Sequence, residues 1–174
     1  MIMEQALLAL DFFTIKNIVH RDIKLDNILI KSIEDNTEFE VRIADFGLSV
    51  FTPKNEMLKQ KCGTPGYVAP EVFTGRGYSY KADIFSLGSV FFNLLTGCFL
   101  FSGNTPELLL QSNINCDLSM IKKYLQHTTH LCKDLVTWML EVDPEDRPTP
   151  KEALKHPWFK CDKEILKNLL NMND

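Results

Sequence analysis

Two short polar clusters collect groups suited to handling charge on phosphorus. The first is His20-Arg21-Asp22-Ile23-Lys24-Leu25-Asp26-Asn27, and the second is Asp45-Phe46-Gly47. Moving a phosphoryl group to a hydroxyl needs a carboxylate at the attacking oxygen, a cation on the migrating group and oxygen ligands for Mg²⁺. Asp22, Lys24 and Asn27 lie within six residues, so one loop can present all three at one point. Asp45 adds a second metal carboxylate if the chain between the clusters doubles back. Taken singly, each cluster reads equally well as a charged loop at a strand end. An H-R-D-x-x-x-x-N match, however, arises by chance in roughly one chain in a thousand of this length.

The intervening chain has the pattern needed to double back. Ile28-Leu29-Ile30 and Phe39-Glu40-Val41-Arg42-Ile43 read as short strands around the polar turn Glu34-Asp35-Asn36. Residues 2–13 read as a helix with Leu7, Leu8 and Leu10 on its apolar side, beginning without a cap as if cut partway along. From Ala82 the pattern is helical. Thr105-Pro106 reads as an N-cap with proline in the first turn. Leu131, Leu135, Trp138, Met139 and Val142 recur as on one helix face. Thr149-Pro150-Lys151-Glu152 reads as a capping box, with Pro157 closing the helix it starts. The fold class expected is mainly α with one small β-hairpin.

The bulk properties leave few other classes open. A chain of 174 residues, 45% hydrophobic and 24% charged, suits one globular domain. A net charge of −4 gives no reason to expect a nucleic-acid partner. Cys62, Cys98, Cys116, Cys132 and Cys161 form no C-x-x-C pair and read as free thiols in a reducing compartment. The N-terminus lacks the basic and apolar regions of a signal peptide. Ile84 to Phe101 carries no charge, but Ser86, Gly88, Ser89, Asn93, Thr96 and Gly97 interrupt it. It reads as a helix buried in a domain centre, and no membrane partner is expected.

In its motifs the sequence resembles the protein kinase family. His20 to Asn27 matches the catalytic loop, Asp45-Phe46-Gly47 the metal-binding motif, and Gly63-Thr64-Pro65-Gly66-Tyr67-Val68-Ala69-Pro70-Glu71 the end of the activation segment. Asp83-Ile84-Phe85-Ser86-Leu87-Gly88 is similar to the start of the family's central helix, with Phe85 where tryptophan is usual. Arg147-Pro148-Thr149 and His156-Pro157-Trp158-Phe159 match its last helices. The resemblance spans about residues 2 to 160. It implies a C-terminal kinase lobe over residues 1–160 without the ATP-clamping N-lobe, followed by a tail, 161–174, read as an amphipathic helix. The calmodulin-dependent kinase group is the most similar.

The resemblance implies a transferase that uses ATP and Mg²⁺ and acts on serine or threonine of protein substrates. Lys24 and Gly63-Thr64-Pro65 set it apart from tyrosine kinases. Asp22 would orient the substrate hydroxyl, Lys24 would neutralise the γ-phosphate, and Thr64 would tie the activation segment to both. Asn27 and Asp45 would hold the metal, with Leu29, Val90 and Leu94 supporting the adenine. Structural roles are also implied: His20 stacked with Phe46 inside the core, Asp83 bracing the catalytic loop, and Glu71 paired with Arg147. No G-x-G-x-x-G occurs, so the chain by itself is expected to be inactive, and a non-catalytic binding module is the alternative. The expected partners are protein substrates and a regulatory protein. The expected compartment is the cytoplasm, with the nucleus as the alternative.

The resemblance also implies a regulatory difference. In the family, an arginine before the catalytic aspartate often meets a phosphorylated residue four positions before the threonine equivalent to Thr64. Here those positions hold Arg21 and Gln60, which has no hydroxyl to phosphorylate, and Val50 replaces the usual second basic residue. Loop order is therefore expected from direct packing or a partner. Ser49 and Thr52 are the remaining hydroxyls before Gly63, and Thr52 precedes Pro53.

Overall fold

Helix α1 (Ile2–Ile15) buries Met3, Ala6, Leu7, Leu10 and Phe13, the recurrence expected of one helix face. The computed structural model describes residues 2–32, 39–53 and 56–160. Leu8 is exposed, contrary to the sequence reading. At about 100° per residue it falls off the face shared by Leu7 and Leu10. Gln5 turns the polar side of α1 into a clamp. Its Nε2 donates to Phe39 O at 3.1 Å, and its Oε1 accepts from Val41 N at 2.8 Å.

The segment gripped by Gln5 is β3 (Phe39–Ile43), which pairs antiparallel with β2 (Ile28–Ser32), as the sequence implied. The register sets Ile28 opposite Ile43, and Ala44 N donates to Asn27 O at 2.8 Å. The two polar clusters therefore meet at the open end of the hairpin. A second, shorter ladder joins β1 (Ile18–Val19) to β4 (Val50–Phe51). It ties the chain just before His20 to the chain just after Asp45-Phe46-Gly47.

After the short helix α2 (Glu71–Thr74) comes α3 (Lys81–Thr96), buried continuously from Ala82 to Asn93. This accounts for the charge-free run: α3 is the centre of the fold, and no helix among the described residues is long and apolar enough to cross a membrane. Three of its buried polar side chains are bonded. Ser86 Oγ returns to Ala82 O, Ser89 Oγ reaches Gly66 O, and Asp83 accepts from the backbone N–H groups of His20 and Arg21.

Helices α4 (Pro106–Asn115), α5 (Ser119–Tyr124), α6 (His130–Met139) and α7 (Pro150–Ala153) complete the lobe. Thr105 caps α4, and Thr149 and Glu152 form the expected capping box. Leu135 and Met139 are buried on α6, but Val142 lies beyond its end and is exposed. Pro157 does not close α7. The helix stops at Ala153, and Pro157 opens a further helical turn over 157–160, where a proline's missing N–H costs nothing. None of the four described cysteines is in a disulfide. The tail, with Cys161, lies outside the described residues.

Candidate active site

The loop after β1 is shaped by a carboxylate 63 residues away in sequence. Asp83 accepts from His20 N at 2.7 Å and from Arg21 N at 2.9 Å. Arg21 is left-handed, with φ 70°. That conformation costs a non-glycine residue about 1 kcal/mol or more and persists only where its surroundings enforce it. Asp83 supplies the enforcement. Burial pushes its carboxyl up to about 6, against the pull of the two N–H donors.

His20 is fully buried. Its Nε2 lies 3.0 Å from Ala44 O, and its Nδ1 accepts from Asp22 N at 3.3 Å. Those partners fit the neutral ring protonated at Nε2. Burial, the largest influence, holds its pKa below the ordinary value. The expected stacking with Phe46 is not present. Phe13 lies nearly parallel to His20, at 17° and 6.2 Å, and so occupies the ring face, leaving Phe46 to meet His20 edge-on at 64° and 5.1 Å. Phe46 is also 49% exposed rather than inside the core.

Three of the residues singled out from sequence converge directly. Lys24 Nζ lies 2.8 Å from Asp22 Oδ2. Thr64 Oγ1 donates to Asp22 Oδ1 at 2.6 Å and accepts from Lys24 Nζ at 3.2 Å. Burial raises the Asp22 pKa, but the hydrogen bonds from Lys24 and Thr64 outweigh it and hold the carboxyl below the ordinary value. The Lys24 ammonium is raised, chiefly by its bond to Asp22. At neutral pH the pair is therefore fully ionised. Asp22 is a hydrogen-bond acceptor that can orient a hydroxyl rather than a strong base waiting to remove its proton.

Asn27 donates to Asp22 O at 2.9 Å and to Asp22 Oδ2 at 3.4 Å, so its amide nitrogen is committed to the loop. Asp45 is left-handed (φ 60°) and accepts from Gly47 N at 3.1 Å through Oδ1. A Cβ on residue 47 would sit 3.0 Å from that oxygen, so glycine keeps the carboxylate in place. An amide oxygen and a carboxylate are the hard donors that suit Mg²⁺, which commonly takes one or two carboxylates and completes its shell from phosphates and water. Leu29 is half exposed on β2, Leu94 is partly exposed near the end of α3, and Val90 is enclosed in the core.

Several supporting residues were not foreseen. Asn113 on α4 is fully buried, accepting from Gly66 N at 2.9 Å and donating to Val68 O at 2.7 Å. With Ser89 it holds the stretch after Thr64. Its only trace in the sequence is a polar residue on the helix that Thr105-Pro106 opens. Thr52 is 8% exposed, its N–H bonded to Asn17 O at 2.7 Å, and its hydroxyl has no partner among the described residues. A hydroxyl this buried is out of a modifying enzyme's reach, so Thr52, although it precedes Pro53, is not a substrate for a proline-directed kinase in the folded chain.

Glu71 and Arg147 form the expected pair. Arg147 is 1% exposed and donates to Glu71 Oε1 at 2.6 Å and Oε2 at 2.8 Å. Its guanidinium lies 4.8 Å from the centre of the Phe85 ring, the residue that stands in for tryptophan.

Comparison with known proteins agrees with this geometry. The family model described as "Protein kinase domain" matches residues 1–159. The chain is 37% identical over 157 residues to "Probable serine/threonine-protein kinase 2" of Plasmodium falciparum, covering 90% of this chain and 30% of that protein. It is 37% identical over 164 residues to the liver/testis isoform of the phosphorylase b kinase gamma catalytic chain of Mus musculus, covering 91% and 39%. It is 38% identical over 144 residues to myosin light chain kinase A of Dictyostelium discoideum, covering 83% and 48%. The chain thus spans between 30% and 48% of the length of these relatives.

Proposed function

The chain belongs to the protein kinase family, and from that premise we propose that it supplies the catalytic loop and activation segment of a serine/threonine protein kinase. The reaction is transfer of the γ-phosphoryl group of ATP to serine or threonine hydroxyls of protein substrates. The observation that carries this reading is the Asp22–Thr64–Lys24 cluster, with contacts of 2.6, 3.2 and 2.8 Å.

Each member has a distinct task. Asp22, held ionised, accepts the hydrogen bond of the incoming hydroxyl and takes its proton as the oxygen–phosphorus bond forms. Lys24 sits close enough to Asp22 to cover negative charge on the phosphoryl oxygens as they approach. Thr64 anchors the activation segment to both, so the acceptor is presented only when that segment is seated. Asn27 and Asp45 are the residues that would hold Mg²⁺, which when bound offsets phosphate charge. Leu29 would lie beneath the adenine. Most of the catalysis in such a site is positioning and fixed charge.

The test is a Mg²⁺-ATP assay with serine, threonine and tyrosine peptides, on the protein that carries this chain together with a glycine-rich phosphate loop. Asp22→Asn keeps the shape but loses the charge. It is expected to lower kcat by about 10²–10⁴, the range for a positioned acid–base group. Retention of more than a tenth of the activity, or a preference for tyrosine, would refute the assignment.

A further inference from the structure

The segment that ends at Thr64 touches the catalytic loop in three places. Arg21 Nη1 donates to Gln60 Oε1 at 3.0 Å. Gly63, with φ 106°, packs so closely that a Cβ there would stand 2.8 Å from Arg21 O and 2.7 Å from Val68 Cγ2. Thr64 Oγ1 then donates to Asp22 Oδ1 at 2.6 Å. Gln60, Gly63 and Thr64 are therefore registered against two consecutive residues, Arg21 and Asp22. A shift at the first contact moves the last.

Both partners in the first contact are themselves held. Arg21 donates through Nε to Leu48 O at 2.5 Å, and its N–H is bonded to Asp83. Gln60 O accepts from the Tyr78 hydroxyl at 2.6 Å. Leu58 and Tyr78 exchange backbone hydrogen bonds of 2.9 Å on either side. Burial, followed by its contact with Cys62, pushes the Tyr78 phenol up to about 12, so it remains a donor. The Arg21 guanidinium thus spends two of its arms on neutral oxygens.

We propose that Gln60 is a positioning residue: its uncharged amide anchors Arg21 and so seats Thr64 on Asp22 without any covalent modification. The other hydroxyls of this stretch are already engaged or enclosed. Ser49 Oγ donates to His20 O at 3.3 Å, and Thr52 is buried. A neutral acceptor also makes the Gln60–Arg21 contact less sensitive to ionic strength than an ion pair there would be, because screening acts chiefly on pairs of charges. The catalytic meaning of the seat rests on the phosphoryl-transfer reading. The seat itself does not, and it can be measured without turnover.

The experiment is amide hydrogen exchange on the full chain, comparing residues 58–66 with α3 as an internal reference. Four samples are needed: wild type, phosphatase-treated wild type, Gln60→Ala and Gln60→Glu. Gln60→Ala is expected to speed exchange over 58–66 by roughly five- to tenfold, the effect of one lost hydrogen bond, with α3 unchanged. Gln60→Glu restores an acceptor for Arg21 and is expected to return protection to at least the wild-type level, now falling as salt is raised. Phosphatase should change nothing. Wild-type exchange in Gln60→Ala, no rescue by Gln60→Glu, or loosening by phosphatase would each overturn the proposal.

Discussion

Arg147 has five N–H donors, and all five are used: Glu71 Oε1 and Oε2, Lys81 O, Glu141 O and Val142 O. Removing the carboxylate alone by Glu71→Ala leaves a cation that is 1% exposed with two N–H groups unpaired. Breaking a buried pair from one side costs about 3–5 kcal/mol. The three carbonyl partners remain, which puts the expected loss near the lower figure, about 3 kcal/mol. That is a large share of the roughly 5–15 kcal/mol by which domains are stable. Arg147→Lys can offer at most three donors in place of five and should also destabilise. The apolar pair Glu71→Leu with Arg147→Met removes both charges, and is expected to recover most of the loss. Urea unfolding followed by circular dichroism measures all four proteins. A cost below about 1 kcal/mol for Glu71→Ala, or a double variant no better than the single, would refute the reasoning.

Two further outcomes are expected. Thr52→Val deletes a buried hydroxyl that has no described partner while keeping the backbone bond to Asn17; it should raise stability by about 1 kcal/mol in the same urea assay, and any destabilisation would show that the hydroxyl is bonded after all. Folding raises the Asp83 pKa from an ordinary 3.8 to about 6, so the fold binds its proton more tightly than the unfolded chain does. The stability this adds is fully present below about pH 4 and lost as pH rises through 6. That amounts to about 3 kcal/mol at 1.36 kcal/mol per pH unit. His20, whose pKa is lowered, acts oppositely: its contribution is present above 6.5 and lost as pH falls. The Asp83 part is therefore read as the difference between wild type and Asp83→Asn at each pH, and a difference that does not change from pH 4 to 7 would contradict it.

Much of the site was legible because its chemistry depends on residue type and spacing. Asp22, Lys24 and Asn27 share one loop, and the pairing that brings Asp45 beside them follows from two strand-like runs; the polar turn read between them, Glu34-Asp35-Asn36, lies outside the described residues. The residues that hold the site were harder to read. Gln5, Asn113 and Ser89 act through backbone groups far away in sequence, and a polar side chain on a helix looks the same whether it faces water or clamps a loop. The misplaced details have similar causes. Leu8 and Val142 are apolar, but apolarity alone does not say which side of a helix is covered. The orientation of Phe46 was decided by Phe13, which takes the face of His20 that Phe46 would otherwise have stacked on.

The bonds from Asp83 to His20 and Arg21 span 63 and 62 residues, and this has a consequence for synthesis. On a ribosome that adds about 5–20 residues per second, the catalytic loop emerges several seconds before the carboxylate that shapes it. During that interval nothing holds Arg21 in its left-handed conformation, and the loop is free to take cheaper ones. The hairpin and α1, joined by the Gln5 clamp, lie wholly before residue 44 and can form in that time. This arrangement can close only once α3 has appeared, so a nascent chain stalled before residue 83 would carry His20, Asp22 and Asn27 without the geometry of the folded chain.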